Sequence, residues 1–278
     1  MTTTLRPTGP IQQGADGAKS RAYDVCDNGR PVGAVEIGTD PRFGASVGVL
    51  RSLSVDESRR RRGRGTIAAL AAEEVLRGWG CTQVRLAAPE GNEGIQGLAA
   101  ALGYTERGRN MLKELDRAAP ALPDGVIARQ MSAEEFARWQ LTSVDTYAQS
   151  WMDQGVPAEQ AIQKSRADHA QNLPDGIDSE GMHFHVLVHE DAVVGHVWVS
   201  VREESPGEKA GYVFDVEVDE EYRGRGYGRA LMWQAEHITL DAGAHRLGLH
   251  VFAANTLAQR LYESLGYRTT QYNLAKSL

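Results

Sequence analysis

Residues 212–231 read Tyr-Val-Phe-Asp-Val-Glu-Val-Asp-Glu-Glu-Tyr-Arg-Gly-Arg-Gly-Tyr-Gly-Arg-Ala-Leu, an alternating strand pattern that runs into glycines and arginines and then opens a helix. Free backbone N–H groups and the positive end of a helix meet at such a junction. Glycine lets a diphosphate approach the backbone closely, and Arg223, Arg225 and Arg229 add full charges. The run Arg223-Gly224-Arg225-Gly226-Tyr227-Gly228-Arg229 therefore reads as a cradle for a pyrophosphate-bearing cofactor. The same signature stands earlier in the chain, as Arg60-Arg61-Arg62-Gly63-Arg64-Gly65. A dinucleotide-binding reading is weaker. It fits Gly63-x-Gly65-x-x-Ala68 but fails in the later copy, where Leu231 holds the last place, so recurrence selects Arg-x-x-Gly-x-Gly as the signal.

The two cradles belong to a longer repeat. Residues 55–115 align with residues 218–278 without a gap, at an offset of 163 residues that carries Arg60 onto Arg223, Asn92 onto Asn255 and Gly103-Tyr104 onto Gly266-Tyr267. Such a period is far too long for a solenoid, so two related globular units are fused in tandem. At one position the copies differ in a way that bears on chemistry: Tyr262 faces Ala99.

Outward from the first cradle, the pattern predicts a hairpin over 23–37 around Asp27-Asn28-Gly29-Arg30-Pro31 and a strand over 46–55. A helix over 65–78, a strand over 84–88, a helix over 93–102 and a strand over 111–115 follow. Residues 1–19 show no periodicity and read as a disordered tail, and 116–125, with Ala-Ala-Pro-Ala-Leu-Pro, read as a linker. The second half repeats the order, with a hairpin over 183–201, a strand over 212–218, a helix over 228–241, a strand over 246–252, a helix over 255–265 and a strand over 271–278. It also has an extra strand over 126–130, a helix from Ser132 with Glu135 at capping-box spacing, and a helix over 157–171. The expected architecture is α/β (α+β), with a truncated first domain over 20–115 that lacks this strand-helix-helix element and a complete second domain over 126–278.

Composition narrows the function classes. The 278 residues are 41% hydrophobic and 24% charged, ordinary for soluble domains. No apolar run is long enough to span a bilayer, and Met1-Thr-Thr-Thr-Leu-Arg lacks the apolar region of a signal peptide, so a cytoplasmic protein without membrane partners is expected. A net charge of −7 disfavours nucleic acid, which leaves the arginine run as a local anion site. Cys26 and Cys81 stand alone, without a CxxC spacing. His183 and His185 share a strand face, but no third ligand follows at a convincing spacing, so no metal is expected.

Arg-x-x-Gly-x-Gly after a strand, then Leu249-His-Val-Phe-Ala-Ala-Asn255, Ala258, Leu261-Tyr262 and Gly266-Tyr267, resembles the GNAT superfamily of acyl-CoA-dependent N-acetyltransferases. The resemblance covers about 126–278 well and about 20–115 in part. It implies two mixed-sheet units in tandem, acetyl-CoA as co-substrate, and strands 212–218 and 246–252 that splay so that the backbone of Val216 to Val218 pairs with pantetheine. Asn255 belongs to the same set and also reads as a helix N-cap.

Acetyl transfer to an amine needs a neutral nucleophile, a polarised carbonyl and a proton for the departing thiolate. Tyr262 matches the family tyrosine that donates this proton, and a backbone N–H near Val218 would meet the developing oxyanion. Asp215 and Glu217 point to one face of their strand, so either could act as base, directly or through water, with Tyr212 a third choice. The first half lacks both the acceptor-walling element and the tyrosine. Its residues Arg60 to Gly65 are then a structural relic or a second CoA site without turnover. The expected activity is acetyl-CoA-dependent N-acetylation of a small-molecule primary amine by the second domain, in a monomer or homodimer. Two alternatives stand beside it: a mycothiol synthase-like tandem acetyltransferase, and a non-catalytic acyl-CoA sensor or interaction protein.

Overall fold

The structure is a computed structural model that describes residues 2–40, 44–116, 118–153 and 155–278. In chain order the first elements are β1 (Thr3–Pro7), β2 (Gln12–Gln13), β3 (Lys19–Asp27), β4 (Arg30–Asp40), β5 (Gly44–Val55), α1 (Arg64–Gly78), β6 (Gln83–Pro89), α2 (Glu93–Ala101) and β7 (Thr105–Glu114). Then come β8 (Val126–Gln130), α3 (Ala133–Met152), α4 (Ala158–Asn172), β9 (Met182–His189), β10 (Ala192–Ser205), β11 (Glu208–Val218), α5 (Tyr227–Asp241), β12 (Arg246–Phe252), α6 (Thr256–Ser264) and β13 (Arg268–Ser277). The chain is α/β, in two mixed-sheet units.

The units do not divide where the linker suggested. Unit 1 is Met1–Gly108 with Gln271–Leu278, and unit 2 is Arg109–Thr270. Residues 118–125 do lack helix and strand, yet they lie inside unit 2. The cause is an exchange of final strands. Residues Gln271 to Ser277 of β13 pair antiparallel with β6, Leu274 opposite Leu86, and so finish the sheet of unit 1. Residues Arg109 to Glu114 of β7 lie in unit 2 beside β12, and the Leu115 amide donates to the His245 carbonyl at 2.7 Å.

Each exchanged strand delivers a lysine to a buried glutamate. In unit 2, Lys113 Nζ lies 2.6 Å from Glu236 Oε1, which also meets the Tyr267 hydroxyl. In unit 1, Lys276 Nζ lies 2.7 Å from Glu73 Oε2, and the Tyr104 hydroxyl donates to Glu73 Oε1 at 3.0 Å. Glu236 and Glu73 are only 2% and 4% exposed, so each carboxylate is compensated by a lysine and a phenol rather than by water.

Strand order is β1-β3-β4-β5-β6-β13 in unit 1 and β7-β12-β11-β10-β9-β8 in unit 2. The expectation of an unstructured tail over 1–19 is corrected here: β1 pairs antiparallel with β3, Arg6 reaches Asp24 at 2.7 Å, and β2 pairs with β3 as well. Thr-rich, half-exposed edge strands carry little periodic signal. So unit 1 has a strand in the place that β8 takes beside β9, and what it lacks is the pair of helices. In unit 2 those helices are α3 and α4, and α3 starts with a full capping box between Ser132 and Glu135. Their aromatic side chains Phe136 and Trp139 pack on Phe184 and Trp198 of the sheet, while Leu231, Met232 and Ala235 of α5 fill the other core.

Candidate functional site

In unit 2 the parallel strands β11 and β12 pair only at Gly211, Tyr212 and Val213, opposite Leu247, Gly248 and Leu249. Beyond Val213 they part. The edge of β11 from Phe214 to Val218, Val216 and Val218 included, has no β12 partner. One extra residue bends β11 at this point: Trp198 pairs with Asp215 and Val199 with Val213, which leaves Phe214 bulged.

The cradle follows directly. Gly224 and Gly226 have φ of 78° and 88°, and Gly226 is the N-cap of α5. No atom lies within 4 Å of where a Cβ would stand on either, so this face of the loop is open. The amides of Gly224, Arg225 and Gly226 meet no acceptor among the described residues. Three successive free donors at a helix start suit an anion of phosphate type. Gly228 is more crowded, its Cβ position 3.3 Å from Leu261 Cδ2. The arginines shape the loop. Arg223 Nε donates to the Val218 carbonyl at 3.0 Å, Arg225 Nη2 to the Glu221 carbonyl at 3.2 Å, and Arg229 Nη2 to Ser264 Oγ at 2.8 Å. The Tyr227 side chain is core, its hydroxyl 2.6 Å from His189 Nδ1, so only its backbone faces the cradle. Asn255 Oδ1 accepts from the Ala258 amide at 3.1 Å and caps α6.

Asp215 stands at the parted edge. Its Oδ2 accepts from Trp139 Nε1 at 3.0 Å and lies 3.0 Å from His196 Nε2, yet 37% of its side-chain surface remains exposed to the cleft. Burial opposes its charge, but hydrogen bonding and attraction from His196, helped by Trp139 and the Val216 amide, hold it below its usual pKa. For His196 burial likewise opposes the charged ring, and Asp215 wins, moving its pKa up. Burial pushes the Tyr262 phenol up to about 12, and the negative charge of Asp215 adds to the rise.

Other candidates are placed differently. Glu217 is 48% exposed, with Arg223 Nη2 3.5 Å away, on the solvent margin of the cradle. Burial raises the Tyr212 phenol to about 12, so it holds its proton well above neutral pH. His185 Nδ1 faces Gln234 Nε2 at 3.2 Å, and burial lowers the pKa of both His183 and His185. His196 and Trp139 escape a motif reading. The signal for His196 was the Val194-x-His196-x-Trp198 alternation opposite Glu217 and Asp215, which becomes informative once the hairpin register is fixed; Trp139, on α3, had none.

In unit 1, β5 and β6 likewise pair no further than Leu50 and Leu86, and Arg60 Nε donates to the Val55 carbonyl at 2.7 Å. Gly63 caps α1 with φ 73°, and Arg61 holds φ 58° where the other copy has Gly224. Arg64 does not face the cradle, since its guanidinium is 3% exposed and bound to Asp27 at 2.5 Å. The amides of Arg61, Arg62, Gly63 and Gly65 meet no acceptor among the described residues.

Comparison with known proteins agrees with this geometry. The family model described as Acetyltransferase (GNAT) family matches residues 5–104 and 142–267. An uncharacterized N-acetyltransferase of Bacillus subtilis, YycN, is 29% identical over 155 residues, 55% of this chain and 99% of its own. A mycothiol acetyltransferase of Streptomyces griseus is 30% identical over 220 residues, 77% of this chain and 67% of its own. Among solved structures, a tandem GNAT protein from the clavulanic acid biosynthesis pathway aligns with TM-score 0.54 at 20% identity, covering 96% of this chain and 85% of that one. A GCN5-related N-acetyltransferase from Sphaerobacter thermophilus aligns with TM-score 0.57 at 20% identity, covering 92% and 80%. With two matched regions, two parted sheets and two glycine-arginine cradles, the chain belongs to the GNAT family of acetyltransferases.

Proposed function

We propose that unit 2 transfers an acetyl group from acetyl-CoA to the primary amine of a small molecule, and that unit 1 turns nothing over. The observation that carries this is Asp215, held by His196 and Trp139 at the parted edge of β11; Tyr262, buried nearby on α6, supports the reading because its phenol feels the Asp215 charge. Bound acetyl-CoA would supply the thioester acyl group, with its phosphates on the amides of Gly224, Arg225 and Gly226 and its pantetheine along Val216 to Val218. Asp215, ionised at neutral pH, attracts an ammonium and accepts its proton directly or through water. His196 fixes Oδ2 of that carboxylate and thereby sets its direction. Tyr262 stays protonated throughout the neutral range, so a donor always stands ready for a departing sulfur of thiol pKa roughly 8.5. A rigidly held N–H of β11 near Val218 serves the oxyanion.

A second reading is the reaction of the mycothiol acetyltransferases themselves, favoured by relatives of that name that align over 77% of this chain. An acyl-CoA sensor would need neither Tyr262 nor Asp215. Release of CoA thiol in the presence of acetyl-CoA and an amine panel tests the proposal: Tyr262→Phe and Asp215→Asn should each lower turnover by about 100-fold or more. Unchanged rates in both variants would overturn the assignment. Mass spectrometry of a cell extract incubated with enzyme and acetyl-CoA would then identify the natural acceptor.

A further inference from the structure

Around Asp215 the wall of the cleft in unit 2 is built almost wholly from rings. Trp198 stacks on Phe214 at 4.5 Å and 20°, Tyr212 meets Phe214 edge-on at 5.0 Å, and Trp139 meets Trp198 edge-on at 5.4 Å. From the other side Trp151 meets Phe252 of β12 at 5.4 Å. Phe214, the bulged residue beside Asp215, is 38% exposed, an apolar ring left on the cleft face of a sheet.

Several polar groups among these rings already satisfy one another. The Tyr147 hydroxyl donates to Asp168 Oδ2 at 3.1 Å, Lys164 Nζ bonds the same oxygen, and His169 Nδ1 lies 2.8 Å from the Ser165 carbonyl. Trp139 Nε1 and His196 Nε2 both spend themselves on Asp215 Oδ2. Asp215 Oδ1 has no side-chain partner among the described residues, the Val216 amide being the other donor to this carboxylate. A hydroxylated or amide-rich acceptor would set most of its polar groups against ring faces, where few partners stand, which is costly. An acceptor whose polarity is gathered in one ammonium would lose nothing. Its flat apolar body would cover Phe214, and its cation would sit between a carboxylate and ring faces, where cations are favoured.

We infer that the acceptor of unit 2 is a primary amine carried on an aromatic or similarly flat apolar skeleton, held by the Phe214 ring and by Asp215 Oδ1, rather than an amino sugar or a peptide amine. This rests on the assignment of acetyl transfer to unit 2, and it separates that assignment from the mycothiol reading.

Two measurements on the full chain test it. Calorimetry without acetyl-CoA should show 2-phenylethylamine binding at least tenfold tighter than glucosamine, and tenfold tighter than the uncharged isostere 2-phenylethanol. Phe214→Ala should weaken 2-phenylethylamine about tenfold, while Phe214→Leu, which keeps an apolar side chain, restores part of the loss. Asp215→Asn should abolish the preference for the amine over the alcohol. With acetyl-CoA present, CoA release should favour 2-phenylethylamine over glucosamine by the same ratio, and Phe214→Ala should raise KM more than it lowers kcat. Selective binding without turnover of any amine would keep the pocket and sink the transfer reading. Turnover with glucosamine equal or better, or equal binding of amine and alcohol in the wild type, would overturn the pocket inference alone.

Discussion

The two units part their parallel strands at the same rung, Leu50 with Leu86 in one and Val213 with Leu249 in the other, positions that correspond across the repeat. Both bulge just beyond it, at Arg51 and at Phe214. Both fold an arginine back onto the carbonyl of the strand end, and both begin the next helix at a left-handed glycine. The registers then give the correspondence of side chains. Asp215 and Trp198 pair where Ser52 and Glu36 pair, and His196 lies opposite Glu217 where Ala34 lies opposite Ser54. Tyr262 stands where Ala99 stands. Backbone opening and loop conformation are thus common to both units. The side chains proposed as acid, base and acceptor wall, and the two helices, belong to unit 2 alone.

If that division is right, the largest effects fall on unit 2 alone. Asp215→Asn with Tyr262→Phe should cost at least 1,000-fold in kcat/KM on the order expected for paired acid and base groups, whereas Ser52→Ala should leave steady-state kinetics as they were. A comparable loss from Ser52→Ala would place chemistry in unit 1 and break the comparison.

Fold maintenance, in contrast, should be shared. Lys113→Met and Lys276→Met each leave a buried glutamate without its counter-charge, with only a phenol to bond it, so each should lower unfolding free energy by about 3 kcal/mol in urea titration. A large cost from one and none from the other would show that the units are not equivalent in stability.

A smaller, pH-dependent effect should come from His196→Gln. His196 now holds the Asp215 pKa down against burial, so its removal lets burial raise that pKa, and the acid limb of the kcat/KM profile should move to higher pH. At the acid end of neutrality this amounts to about a tenfold loss per pH unit. A limb that stays in place would make His196 a bystander.

The least effect should be at Arg61, which holds a left-handed φ of 58° where Gly224 stands in the other copy. Arg61→Gly should relieve roughly 1 kcal/mol of backbone strain, partly offset by the entropy of glycine, and raise the melting temperature slightly. Titration with acetyl-CoA would complete the comparison: one site per chain leaves unit 1 as scaffold, and two sites would make its cradle a working binding site.

How much of this the chain spells out depends on range. The order of strands and helices is local, carried by alternation, by helical spacing and by markers such as Asn28-Gly29, whose φ values of 49° and 81° suit a tight hairpin turn. The cradle is local too. Partner choice is not. Nothing in the alternation of residues 111–115 or 271–278 says which sheet they join, so strand exchange became visible only with the pairing of β13 and β6. The site shows the same limit. A regular ladder continued from Val199 and Val213 would have set Asp215 opposite Val197, on the other face. The bulge at Phe214 instead turns it toward Trp198, Trp139 and His196.

The exchange of final strands has a consequence for how the chain is made. A ribosome that has finished unit 1 up to Gly108 has not yet produced the strand that covers β6, because residues 271–277 follow the whole of unit 2. Throughout synthesis of unit 2 the first sheet must wait with an open edge, and open edges are the places where chains pair wrongly. Unit 1 therefore reaches its final form only when unit 2 is fully synthesised. Loss of residues 271–277, remote in sequence from the rest of unit 1, would strike unit 1 first.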